Sequence, residues 1–131
     1  MTAPPECPCP CGRGVLYSDC CEPLHRGDIT APTAERLMRS RYSAFALGLS
    51  EYLLDTWHAE TRPESLELDP GIEWKRLFVE RTEAGGPFDR DGTVTFTAIA
   101  RTTEGRYEQR ERSRFARSSA GHWVYVDGEA A

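Results

Sequence analysis

The period of the apolar positions changes along the chain. Residues 1–31 carry no periodic apolar face; they are Pro, Gly, Cys and scattered polar residues. From Thr33 the spacing turns helical, with Leu37, Met38, Phe45, Ala46 and Leu49 recurring on one broad face that also takes Tyr42. Arg36, Arg39 and Arg41 are expected largely off that face. Thr33 is placed to cap the helix, and Glu35 to complement its dipole. Gly48 weakens the end, and Ser50 is placed to cap a second, short helix buried through Leu53, Leu54 and Trp57. Thr61-Arg62-Pro63 stops it, leaving 64–71 as a polar loop or one further helical turn.

Beyond that point the period becomes two. Strands are predicted over 72–83, 93–101, 106–117 and 122–126, separated by the Gly/Pro/Asp segment 85–92, a Glu104-Gly105 turn and the Ser/Gly segment 118–121. Helices followed by antiparallel strands give an α+β fold, the helices packed on one face of a curved sheet. The strand 106–117 is the informative one. Glu108, Arg110, Arg112 and Arg114 form a solvated face, whose arginines are expected to pair with neighbouring carboxylates. Tyr107, Gln109, Glu111, Ser113 and Phe115 form the other. Three polar residues between two aromatics do not make a solid core. That face either lines a cavity or belongs to an edge strand wet on both sides.

Length bounds the fold to one domain with a small appendage: 131 residues, 39% apolar and 28% charged, a globular composition. The net charge of −5 argues against a broad phosphate-binding surface, so direct nucleic-acid binding is not expected. No run is long and apolar enough for a membrane span. The opening Met1-Thr2-Ala3-Pro4-Pro5-Glu6 lacks the basic and apolar parts of an export signal, which points to the reducing cytoplasm.

The five cysteines all lie at the start: Cys7, Cys9, Cys11, Cys20 and Cys21. An odd number in so short a stretch, two of them adjacent, is poorly suited to structural disulfides and well suited to a metal. The run from Cys9 reads C-x-C-x8-C-C, four thiolates for tetrahedral zinc. All four positions filled by sulfur leave no place for a reactive water, so the zinc is expected to be structural. Gly12 and Gly14 are expected to turn the backbone and aim N–H groups at sulfur, Arg13 to offset charge, and Tyr17 to pack alongside. Cys7-Pro8-Cys9 repeats the spacing and allows a shifted register, although the glycine turn after Cys11 favours the later one, with Cys7 spare. His25 is either a substitute ligand or an ordinary exposed histidine.

This segment resembles the SEC-C motif, from which Arg13 and Val15 depart without touching the ligands. The resemblance implies zinc on Cys9, Cys11, Cys20 and Cys21 and a protein-contacting role. Over almost the whole chain the sequence resembles the YchJ-like family of bacterial proteins. The matching strings are the knuckle, Pro32-Thr33-Ala34-Glu35, the run from Leu37 to Phe45, Thr56-Trp57-His58, Glu111-Arg112-Ser113-Arg114-Phe115 and Trp123-Val124-Tyr125-Val126-Asp127-Gly128. The resemblance implies a knuckle and connector over 1–31 and a nuclear transport factor 2-like cone over 32–131, a domain type that often forms homodimers through its outer sheet face. Two functions are expected from this. One is a zinc-bearing adaptor whose knuckle docks on a protein or ribonucleoprotein. The other is a small-molecule or enzymatic site in the cone, with Tyr42, Trp57, His58, Arg62, Glu111 and Ser113 as pocket residues. There Glu111 serves as a base or forms a salt bridge with Arg41 or Arg39, and His58 is either a pocket residue beside Trp57 or a histidine favoured at the helix end by the dipole. No nucleophile–base trio is legible.

Overall fold

A computed structural model describes residues 7–131; residues 1–6, where the reading of the export signal was made, lie outside them. The element order is a 3-10 turn (Tyr17–Asp19), α1 (Glu22–His25), α2 (Ala34–Leu47), α3 (Ser50–Asp55), then β1 (Glu73–Ala84), β2 (Asp91–Thr102), β3 (Gly105–Arg117) and β4 (Trp123–Ala130). The strands form one antiparallel sheet in sequence order, β1-β2-β3-β4. The expected α+β class therefore holds, and 64–71 contributes no helix. Among the described residues no helix is long and apolar enough to cross a membrane.

Local chemistry explains the helix ends. Thr33 takes the extended conformation of a cap, and its side chain accepts the Arg36 N–H at 3.1 Å. Gly48 closes α2 in the left-handed region at φ 75°, a conformation that costs a side-chain-bearing residue free energy. Ser50 does not cap α3 as expected. It is the helix's first residue, Leu49 occupies the cap position, and no side chain bonds there.

The strands run further than the alternation suggested. β4 continues past Val126 to Ala130 because its polar end still pairs with β3, from Ser113↔Gly128 to Glu111↔Ala130. Two register shifts in β1, at Trp74/Arg76 and Val79/Arg81, mark irregularities of the kind that bend a strand. From Glu111 to Arg117 β3 is paired along both edges, by β2 and by β4, which overturns the wet-edge reading for Glu111, Ser113 and Phe115. Tyr107 and Gln109 lie where β3 has only β2 beside it, and Tyr107 is exposed. On the outer face Arg110, Arg112 and Arg114 each meet a carboxylate: Glu80, Glu83 with Glu129, and Asp127.

Leu37, Met38, Val94, Phe96, Ala98, Phe115 and Trp123 form one buried cluster, continuous with Leu24, Tyr17 and the knuckle cysteines. Removing each large apolar side chain from water stabilises the fold by about 1.5–3 kcal/mol. The Trp123 indole N–H donates to the Pro32 carbonyl at 3.2 Å, holding the entry to α2 against β4.

Arg41 corrects the helical wheel. It was expected at the solvated edge of α2 and is instead only 6% exposed. Its Nη1 donates to the Leu53 carbonyl at 2.8 Å and to Thr56 Oγ1 at 2.7 Å, at the C-terminal end of α3. Thr56 Oγ1 in turn donates to the Tyr52 carbonyl at 2.8 Å, and the last carbonyls of a helix carry partial negative charge, which makes a cation there favourable.

Candidate metal centre and cavity

The knuckle begins as a very small hairpin. Pro8 bridges Leu16, the Cys9 N–H donates to the Val15 carbonyl at 3.0 Å, and the Tyr17 N–H to the Cys7 carbonyl at 2.8 Å. Gly12 and Gly14 turn the loop at φ 77° and 90°. This brings Cys9 and Cys11 beside Cys20 and Cys21 at the start of α1. All four side chains are buried and unbridged, with their sulfurs within 4.8 Å of one another. Cys11 and Cys20 sulfurs lie 3.5 Å apart, those of Cys20 and Cys21 3.8 Å. A tetrahedron with metal–sulfur bonds of about 2.3 Å has sulfur–sulfur edges of roughly 3.8 Å, so one zinc-sized ion fits this donor set. Cys7 is outside the cluster.

The electrostatics agree with a cation site. Four thiols in one volume cannot all ionise unaided. Hydrogen bonds from Cys11 and Cys21 hold the Cys9 thiol well below the usual range. Hydrogen bonds to Cys11 and Cys9, with burial, push Cys21 far up. A divalent ion would let all four be thiolates.

The knuckle's own backbone serves sulfur as expected, the Cys11 N–H bonding Cys9 and the Arg13 N–H bonding Cys11. The side chains that reach sulfur come from α2, and not from Arg13 as expected. The Gly12 N–H bonds the Cys9 carbonyl, and Arg13 is exposed. Ser43 Oγ donates to Cys21 Sγ at 3.4 Å and lies 3.6 Å from Cys9 Sγ. Arg36 donates to Cys20 Sγ at 3.7 Å and to its carbonyl at 3.1 Å. Arg39 ties the Cys11 carbonyl at 3.0 Å to Glu35. Donors of this kind orient the ligands and spread their charge.

His25 is neither exposed nor within the sulfur cluster. Its Nε2 lies 2.8 Å from the Ser40 carbonyl and must carry the proton, leaving Nδ1 to accept from the Tyr17 hydroxyl at 2.8 Å. Burial lowers its pKa, in keeping with a neutral ring that ties α1 to α2.

The opposite edge of α2 faces a cavity of about 160 Å³ between helix and sheet. Of the predicted pocket residues, Tyr42, Trp57, Glu111 and Ser113 line it, and Arg41 lines it with them. His58 and Arg62 are not among the lining residues. Trp57 forms a bridge with Tyr125 and turns its ring inward, so the next residue points away. His58 borders an outer groove with Glu60 and Thr61, and Arg62 is exposed with its guanidinium on the Trp57 carbonyl at 2.9 Å. Glu111 and His58, expected around one pocket, therefore do not face one enclosed space.

Glu111 is held on the cavity floor. It accepts from Gln109 Nε2 at 3.0 Å, from the Ser113 hydroxyl and from the Tyr125 hydroxyl at 3.4 Å. Gly128 makes room for it, since a Cβ there would collide with the carboxylate. Neither expected salt bridge forms: Arg39 serves the knuckle and Glu35. Arg41 stacks over Trp57 and Tyr125, its guanidinium carbon 5.2 and 4.7 Å from the ring centroids. Desolvation lowers its pKa to about 10, so it remains charged at neutral pH. Two buried polar atoms find no partner among the described residues, the Tyr42 hydroxyl and the Trp57 indole N–H.

Comparison with known proteins adds the following. A model of the YchJ middle NTF2-like domain matches residues 33–128, and one of the SEC-C motif matches 8–23. A UPF0225 protein of Corynebacterium glutamicum is 52% identical, over 92% of this chain and 95% of its own. One from Streptomyces coelicolor is 52% identical, over 95% and 97%. The solution structure of a SEC-C motif containing protein from Rhodopseudomonas palustris superposes with a TM-score of 0.82 at 34% identity, covering 94% of this chain and 98% of that one. The crystal structure of a SEC-C motif containing protein from Psychrobacter arcticus gives 0.76 at 30%, covering 95% and 82%.

Proposed function

The chain belongs to the YchJ family of NTF2-like proteins that carry a SEC-C motif, the UPF0225 proteins, and from that premise we propose that it is a zinc-stapled small-molecule-binding protein of the bacterial cytoplasm. Zinc on Cys9, Cys11, Cys20 and Cys21 is structural, because four sulfurs fill a tetrahedron and leave no open position. The observation that carries the reading is the double use of α2. Arg36, Arg39 and Ser43 hold the knuckle, while Met38, Arg41, Tyr42 and Phe45 form the roof of the cavity. The metal thereby fixes the element on which the ligand site depends.

The test compares zinc-loaded and chelator-stripped protein in a small-molecule screen read by fluorescence of Trp57 and Trp74, both of which line the cavity. One zinc per chain by elemental analysis, with ligand binding lost on stripping, is the expected result. Ligand binding that survives complete metal removal separates the two sites and overturns the staple.

A second reading, the zinc-bearing adaptor, is favoured by the knuckle's tip. Val15 and Leu16 are exposed apolar residues at the end of the Gly12–Gly14 turn, suited to a protein or ribonucleoprotein partner. Affinity capture should lose the same partner with Val15→Ser/Leu16→Ser, which leaves the zinc ligands intact, and with Cys20→Ser/Cys21→Ser. A partner retained by both variants would rule the tip out.

A further inference from the structure

The cavity's polar groups divide into a satisfied set and an unsatisfied one. Glu111, the one carboxylate among the lining residues, already accepts from Gln109, Ser113 and Tyr125. The groups left over are donors. Arg41 spends only Nη1 on protein acceptors, and among the described residues its Nε and Nη2 have none. The Trp57 indole N–H is buried and unpartnered, and so is the hydroxyl of Tyr42, a residue only 5% exposed. Glu111 acts on Arg41 only through its field and makes no ion pair with it. A buried cation with no carboxylate in hydrogen-bond reach is costly, and each unpaired buried donor adds to that cost. The remainder of the wall is apolar and aromatic: Met38, Phe45, Trp74, Phe96 and Phe115.

We infer that the cavity takes a small aryl or short alkyl monocarboxylate, its carboxylate bound by the free side of the Arg41 guanidinium and the neighbouring Trp57 and Tyr42 donors, its body lying against the aromatic wall. The inference rests on the small-molecule reading above and names its ligand class. Guanidinium presents a planar fork that matches a carboxylate and is weakly hydrated enough to serve in a closed site. Size points the same way. A cavity of about 150 Å³ with apolar walls is known to hold a benzene ring, and this one measures about 160 Å³.

Three probes of one shape and different charge test this on the zinc-loaded full chain: benzoate, benzamide and benzylamine. Binding is followed by tryptophan fluorescence and by the indole N–H resonance of Trp57. Benzoate should bind at least about tenfold more tightly than benzamide, the ratio expected when a charge-assisted hydrogen bond replaces a neutral one. Benzylamine should be the weakest. Arg41→Met should erase the preference for benzoate while leaving benzamide's affinity within about twofold, on the same count of lost charge-assisted bonds. Should that variant fail to fold, Trp57→Phe, which keeps a ring and removes the N–H, should weaken benzoate several-fold and benzamide less. Equal binding of benzoate and benzamide, or a native-like preference in Arg41→Met or Trp57→Phe, overturns the carboxylate inference while the cavity reading stands. Benzylamine binding best transfers the anchor to Glu111 and overturns it too. No binding by any of the three overturns both.

Discussion

The two edges of helix α2 treat polar groups in opposite ways. On the knuckle edge Arg36, Arg39 and Ser43 each end on sulfur, a carbonyl or a carboxylate. On the cavity edge the Tyr42 hydroxyl has no partner among the described residues, and half of the Arg41 fork has none. One edge is complete within the chain once a metal joins it. The other is complete only with something added from outside. Changes on the first edge should therefore act on stability, and changes on the second on binding.

The largest effect should follow from removing ligands at the complete edge. Cys20→Ser/Cys21→Ser should abolish zinc in elemental analysis and lower stability by several kcal/mol, since metal binding and folding are one free energy in so small a knuckle. Thermal unfolding checks it. A variant that melts with the native protein would mean that α2 stands without the knuckle and that the two edges are independent.

Next in size is the cavity floor, which unlike its roof is tightly filled. Gly128→Ala drives a Cβ into the Glu111 side chain, and forced overpacking of this kind costs about 1–3 kcal/mol. Removing the obstacle in Gly128→Ala/Glu111→Ala should return part of the loss, a coupling that a denaturation cycle measures. Additive losses would show that the floor yields freely and that Glu111 is not fixed.

How far these two edges were legible depends on how local their signals are. The knuckle's ligands are set by spacing within a few residues, so Cys9, Cys11, Cys20 and Cys21 could be read directly and now lie together. The polar inner face of β3 was legible for a similar reason, because a period of two fixes which side chains share a side. Arg41 reads by residue type as lying off the buried face, and its position says otherwise. Met38, Arg41, Tyr42 and Phe45 stand at i, i+3, i+4 and i+7, a single buried helical face. His58 was misplaced for the opposite reason. Adjacency to Trp57 suggested a common site, but in extended chain neighbours face opposite ways. The knuckle's dependence on Ser43, Arg36 and His25 had no local signal, since it arises only when distant segments pack.

A smaller effect appears at high pH and is shared with the knuckle side, where burial pushes the Tyr17 hydroxyl up to about 12 as well. Burial pushes the hydroxyls of Tyr42 and Tyr125 up to about 12, with the Cys11 charge and the Glu111 charge as the next causes respectively. In the unfolded chain both ionise near 10. Above about pH 10 the unfolded state therefore binds fewer protons, and stability falls until the folded values are passed near 12, by on the order of 1–2 kcal/mol per tyrosine. Urea unfolding at pH 8 and pH 11, with tyrosinate absorbance of the folded protein, reads this directly. Full ionisation of the folded protein near pH 10 would mean that the cavity is open to water.

The smallest effect is the sharpest test of the comparison, because its sign is unusual. Truncating a hydroxyl that bonds a protein partner destabilises, typically by about 1 kcal/mol. Among the described residues the Tyr42 hydroxyl is buried without such a partner, so Tyr42→Phe removes a desolvation cost and no hydrogen bond. The variant should be as stable as the native protein or more so by a few tenths of a kcal/mol up to about 1. Ser43→Ala, one position along the same helix, turns to the other edge and should lose about 1 kcal/mol with its bond to Cys21 sulfur. Measured together by denaturant titration, the two neighbours should move in opposite directions. If Tyr42→Phe instead loses as much as Ser43→Ala, the hydroxyl already has an ordered water as its partner. The cavity edge is then as complete as the knuckle edge, and Tyr42 has no bond to spare for a ligand.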